Sequence, residues 1–221
     1  MIHFIDRKDA GKQLATGLKQ YTRRKDVVLL ALPRGGVAVA EPIAQALHLP
    51  LDIIITKKLG APFSPELAVG ALTQDGEALW NEELLASLGL TRHDMEPIVE
   101  SARHEMERRL KLYQQNNTID LHGKVAIIID DGIATGATIK AAVASIKKKG
   151  VRKIVIAAPV APLSVVESLK PLVDEVIYLE APRSLLSIGQ FYDEFHQLTD
   201  EEVLLLLQKT PSTKNDFLSD H

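Results

Sequence analysis

The 221-residue chain contains no cysteine, which excludes disulfides, a thiolate nucleophile and any zinc site built on sulfur. Aromatic residues are scarce at 5%, with a single tryptophan. No charge dominates: 26 basic against 29 acidic residues leave a net charge of -3, so a general nucleic-acid binder is not expected. No apolar run approaches the ~20 residues that span a bilayer. The start, Met1-Ile2-His3-Phe4-Ile5-Asp6-Arg7, lacks the apolar core of a signal peptide. These absences predict a cytoplasmic protein without a membrane partner. The 46% hydrophobic content suits one well-buried α/β domain.

The most informative stretch runs from Lys124 to Thr138. Val125 to Ile129 is apolar without alternation, as in a strand buried on both faces of a parallel sheet. Two carboxylates, Asp130 and Asp131, end it. Ile133, Ala134, Thr135, Gly136, Ala137 and Thr138 follow, and then Ile139, Ala142, Val143 and Ile146 recur at helical spacing. A loop that opens a helix offers free amides and the positive end of the macrodipole to a phosphate. Thr135 and Thr138 add hydroxyls, and Gly136 permits close approach. Carboxylates beside a phosphate site suit sugar hydroxyls, Mg2+ or a developing positive charge. A phosphorylated sugar fits both halves.

Acids, loop and helix together resemble the phosphoribosyl-diphosphate (PRPP) motif of the type I phosphoribosyltransferases. The Gly-x-Gly-x-x-Gly and Gly-Lys-Ser/Thr patterns of other phosphate binders are missing here. The resemblance implies that Asp130 and Asp131 hold the ribose hydroxyls and, through water, Mg2+, and that Ala134 to Thr138 wrap the 5′-phosphate. It covers roughly residues 27 to 180 in architecture. The whole chain also looks like a group of bacterial proteins described only as predicted phosphoribosyltransferases.

A second apolar run, Val27 to Leu32, leads into Pro33-Arg34-Gly35-Gly36 and a helical pattern, with Pro42 expected close to the helix start. By the same resemblance, Arg34, Gly35 and Gly36 grip the leaving diphosphate. A third strand, Leu51 to Thr56, ends in Lys57 and Lys58. These two are either a solvated basic strand end or, by resemblance, further diphosphate contacts. Residues 59 to 67 read as a loop, and Leu67 to Leu72 with Glu77 to Trp80 as a hairpin turning at Gln74-Asp75-Gly76. Trp80 suits core packing or a contact in the hood over the site. Residues 81 to 118 read as helices, one capped by Asn81 and a longer one opened by Thr91 and ended by Asn116-Asn117. His93 and His104 lack partners at metal-ligand spacing.

Ile154 to Ala158 and Glu175 to Leu179 complete five strands. Residues 7 to 22 read as an outer helix without visible chemistry. The segment with Ser187, Gly189, Gln190, Phe191, Tyr192, Asp193, Phe195 and His196 is either a base-recognising hood or a small satellite core. Thr199 to Glu202 resembles a capping box, and Val203 to Leu207 is apolar enough to be buried or to form a subunit contact in a homo-oligomer.

The reading is an α/β fold: a parallel sheet of about five strands covered by helices, in one domain spanning 1–209. An insertion occupies about 59–118, a hood about 181–198 and a flexible tail 210–221. The implied reaction is Mg-dependent transfer of the 5-phosphoribosyl group of PRPP to a nitrogen acceptor, with release of diphosphate. A non-catalytic PRPP or nucleotide sensor on the same fold is the alternative. In the 6-oxopurine transferases a third Asp stands where this chain has Ala134, which argues against hypoxanthine and guanine as acceptors.

Overall fold

Alternation explains why the central strands are apolar throughout. In a strand, successive side chains face opposite sides, and both sides of this sheet are covered. Val27, Leu29, Ala31, Val125, Ile127 and Ile129 pack into one core, while Val28, Leu30, Ala126 and Ile128 pack into the other. The computed structural model describes residues 2–113 and 119–210. The expected helix end at Asn116-Asn117 and the tail from residue 211 lie outside them.

In chain order the elements are α1 (Arg7–Gly17), β1 (Val27–Ala31), α2 (Gly35–Leu47), β2 (Leu51–Ile53), β3 (Lys57–Ala61), β4 (Ser64–Leu72), β5 (Ala78–Trp80), α3 (Glu82–Ser87) and α4 (Glu96–Tyr113). The second half supplies β6 (Val125–Ile129), α5 (Ala137–Lys147), β7 (Lys153–Val160), α6 (Leu163–Leu169), β8 (Glu175–Glu180) and α7 (Asp200–Gln208). Five strands form one parallel sheet in the order β2-β1-β6-β7-β8. α1, α2, α4 and α7 contribute to one core; α5 and α6 contribute to the other.

Two features of this topology set up the site. From β1 the chain steps outward to β2, whereas from β6 it steps the other way to β7, so the strand order switches between β1 and β6. Open α/β sheets bind ligands at such a switch, beyond the carboxyl ends of the strands. The register then levels those ends: Ala31 lies opposite Ile129, and Ile129 opposite Ala157. The loops that follow β1 and β6 therefore leave side by side.

The segment after β2 differs from the loop expected over 59–67. β3, β4 and β5 form a separate three-stranded antiparallel sheet. Lys57 and Lys58 open β3 rather than closing β2. The reason is burial: Leu59, Ala61, Val69, Ala71 and Leu72 are covered, which favours pairing β3 with the apolar half of β4. The hairpin at 74–76 is present, with Gly70 opposite Trp80 and Leu72 opposite Ala78. Its turn is tied to α5 by Ser145, whose hydroxyl donates to Asp75 Oδ2 at 2.6 Å, and by a Lys148–Glu77 ion pair. The opposite turn carries Phe63, which is 65% exposed.

Pro42 also departs from expectation. It lies inside α2, where it removes one helical N–H, and its ring packs against Gly11 of α1. Thr91 caps a turn with Asp94 before α4 begins at Glu96. Asn81 caps α3 and Thr199 builds a full capping box on α7, as their sequences indicate.

Candidate active site

Asp130 and Asp131 follow β6 at the switch point. Leu32 donates its amide to the Ile129 carbonyl at 2.9 Å, which stitches the start of the β1 loop to the start of the acid loop. Gly35 sits directly on the Asp131 carboxyl: an added Cβ would fall 1.9 Å from Oδ2. The structure thus brings together two loops that lie 94 residues or more apart in the chain (Gly36 to Asp130). Only glycine permits that approach.

The loop from Ala134 to Thr138 leads into the N-terminus of α5. Gly136 has φ +77 and is the N-cap of α5, so the chain turns sharply and presents the first-turn amides of an 11-residue helix. Ala134 and Thr135 are exposed, and Ala137 and Thr138 are half-buried. Thr56, after β2, donates its hydroxyl to the Thr138 carbonyl at 3.3 Å. A cleft of about 450 Å3 opens between this loop and the antiparallel sheet, lined by Thr135, Ala137, Lys140, Gly70 and Trp80 among others. Trp80 packs on the core and also lines this cleft.

The basic side chains are each engaged by a carboxylate. Lys57 Nζ lies 2.6 Å from Glu105 Oε2, and Lys58 Nζ 3.1 Å from Glu66 Oε2. Arg34, preceded by a cis peptide bond, points toward Asp200 of α7 at 3.9 Å. Asp200 also accepts from Tyr113 and from Arg108. The Tyr113 bond, ahead of the two arginines, holds the Asp200 carboxyl below its usual range. Burial and the same carboxylate push Tyr113 up to about 12.

Sequence reasoning missed the partner of Asp131. Arg7, in the first turn of α1, places Nε 2.6 Å from Asp131 Oδ2 and donates from Nη1 to the His196 carbonyl at 2.8 Å. Its guanidinium carbon lies 3.8 Å above the Phe195 ring centroid. Tyr192 donates its hydroxyl to the Asp131 carbonyl at 2.7 Å. α1 is therefore not the bystander expected. A signal was present: a cation in a helix's first turn opposes the macrodipole and calls for an anion.

The segment around Phe191 forms a small satellite core. Phe4, Phe191 and Tyr192 are buried together, and Phe4 bridges to Tyr192. It packs the N-terminal segment, and His196 pairs with Glu202 of α7.

Among the described residues no cation bonds Asp130 directly. Burial, then the adjacent Asp131 carboxyl, raises its pKa well above the usual range. A divalent cation would relieve that cost. Among the described residues no cluster of three or more His, Asp or Glu could cage a metal. Mg2+ keeps several waters and takes one or two carboxylates plus ligand oxygens, a share that Asp130 and Asp131 could supply. No helix among the described residues is long and apolar enough to cross a membrane.

Comparisons with known proteins agree with the fold. A family model described as a phosphoribosyl transferase domain matches residues 5–177. The chain is 41% identical over 207 residues to a Mycobacterium tuberculosis protein, found in two strains and provisionally described as a phosphoribosyl transferase. That match covers 93% of this chain and 46% of the relative, so the chain spans about half the length of the curated relatives it matches. The crystal structure of the protein TT1426 from Thermus thermophilus superposes with a TM-score of 0.78 at 33% identity, covering 96% of this chain and 100% of that one.

Proposed function

The chain belongs to the phosphoribosyl transferase domain family, and on that premise we propose that it moves the 5-phosphoribosyl group of PRPP to a nitrogen acceptor of the nucleobase class. The observation that carries this reading is the seating of Gly35 on Asp131. One contact joins a candidate diphosphate loop to a candidate ribose site, with the α5 phosphate loop continuing from the same strand end.

In the proposed step the bond from ribose C1 to the diphosphate oxygen breaks, and its electron pair leaves with diphosphate. The acceptor nitrogen forms the new bond to C1 and releases its proton to solvent. Positive charge develops on the ribose and negative charge on the leaving group. The Asp130 carboxylate would favour the former. The amides opening α5, with Thr135 and Thr138, would anchor the 5′-phosphate. Arg34, Lys57 and Lys58 would exchange Asp200, Glu105 and Glu66 for the diphosphate, so these carboxylates act as counter-ions in its absence. When bound, Mg2+ held through water by Asp130 and Asp131 would withdraw charge from the leaving diphosphate.

Calorimetric titration of PRPP with Mg2+ into the wild type and Asp130→Asn/Asp131→Asn tests the reading. Saturable binding that the variant loses supports it. Diphosphate release across a panel of nucleobases then separates the transferase from a PRPP sensor, which would bind without turnover. A folded wild type that does not bind PRPP would overturn both.

A further inference from the structure

Asp131 is held by three residues from outside its own loop. Arg7 bonds its carboxyl from α1 at 2.6 Å, Tyr192 bonds its carbonyl at 2.7 Å, and Gly35 lies against the carboxyl. Arg7 is itself fixed. It is 8% exposed, donates to the His196 carbonyl at 2.8 Å and sets its guanidinium carbon 3.8 Å from the centre of the Phe195 ring. A planar fork with one donor on a backbone carbonyl, one on a carboxylate and a ring against it has little freedom left. The side chain is more constrained than a surface ion pair and more specific than packing.

Asp130 and Asp131 are consequently not equivalent. Asp131 has a guanidinium within hydrogen-bond reach, which fixes its rotamer and neutralises its charge. Among the described residues, Asp130 meets only the Asp131 amide, at 2.9 Å, as a donor. A carboxylate with a fixed direction and compensated charge suits the orientation of sugar hydroxyls. A carboxylate without a cation bonded to it suits stabilisation of positive charge.

Resting on the assignment of the acid pair to ribose, we propose that Arg7 is the positioning residue of the site, fixing Asp131 as the hydroxyl-orienting member and leaving Asp130 as the charge-stabilising one. Arg7 touches no substrate in this scheme and acts through Asp131.

The test uses the full chain as wild type, Arg7→Met, Arg7→Lys, Asp131→Asn and Arg7→Met/Asp131→Asn. The first readout needs no ligand: the Arg7 Nε–H resonance in 15N NMR should exchange slowly in the wild type and move on Asp131→Asn. The second is the affinity for PRPP with Mg2+. Arg7→Met should weaken it by about tenfold or more, and the double variant should be within about twofold of the weaker single, because both changes remove one unit. Arg7→Lys, which keeps the charge and loses the fork, should fall between wild type and Arg7→Met. If Arg7→Met does not fold, Arg7→Lys carries the comparison. Wild-type affinity in the folded Arg7 variants, independent losses that multiply, or an Nε–H exchanging at the solvent rate would overturn the proposal. A wild type that fails to bind PRPP would sink the transferase reading, while the Nε–H signature would still decide whether Arg7 holds Asp131.

Discussion

Gly35 and Asp131 share space that a single methyl group would fill: a Cβ on Gly35 would lie 1.9 Å from Asp131 Oδ2. The β1 and β6 loops are thereby built as one surface. Gly35→Ala is expected to displace the carboxyl, lower PRPP affinity at least about tenfold and cost about 1–3 kcal/mol of stability, the range for overpacking a close contact. Calorimetry and urea unfolding would measure the two effects. Unchanged affinity would mean that ligand binding does not need the loops in register.

Asp130→Asn is expected to stabilise the ligand-free protein at neutral pH while removing PRPP binding. The sign follows from its raised pKa. The fold holds the Asp130 proton more tightly than the unfolded chain does. Its favourable contribution is therefore complete below the unfolded value of about 3.8–3.9 and is lost as pH rises through the folded pKa. Thermal melts should show the variant above the wild type at pH 7.5, by about 2–4 °C for each kcal/mol regained, with the gap closing toward pH 3.5. A gap that widens on acidification would contradict the assignment.

What the sequence disclosed here is the part set by local pattern. Val125 to Ile129 announces a strand covered on both faces, Asn81 and Thr199 announce helix starts, and Asp130 to Thr138 announces the strand end, the glycine turn and the start of α5. Lys57 and Lys58 lie one element later than local pattern implies, because β3 depends on pairing with β4, which no local pattern encodes. Arg7 escapes sequence reasoning for the same kind of reason. Its meaning lies in Asp131, His196 and Phe195, and only the fold supplies them.

Loosening the antiparallel sheet should leave global stability nearly intact. Asp75→Ala removes the 2.6 Å bond to Ser145, worth about 1 kcal/mol. Trp80, at the end of β5 in the same sheet and the only tryptophan, reports on it: acrylamide quenching should rise while the urea midpoint shifts little. Unaltered quenching would show that the turn's other holds, the Lys148–Glu77 pair and the bonds from Arg103 to the Gly76 carbonyl and from Ile55 to Gln74, suffice to secure it.

Asp200 joins α7 to α4 through Tyr113 and Arg108. Because its pKa is lowered, its contribution is present above the unfolded value and is lost as pH falls through the folded one. Asp200→Asn should cost about 1 kcal/mol or less at pH 7, discounted for its contact with solvent. The difference should shrink on acid titration of the unfolding curves as pH falls below the ordinary aspartate range.

The clamp on Asp131 also has a temporal side. Arg7 reaches across 124 residues to Asp131 and 189 to the His196 carbonyl, and Tyr192 reaches back 61 to Asp131. Contacts between such distant partners must pay the entropy of closing long loops before they return anything. The strand pairs can form while either end of the chain is still loose, but the acid pair cannot be aligned. During refolding, recovery of sheet structure should precede recovery of ligand binding, with the first helix and the 191–196 segment docking in between. The last step of assembly would then be the one that arms the site.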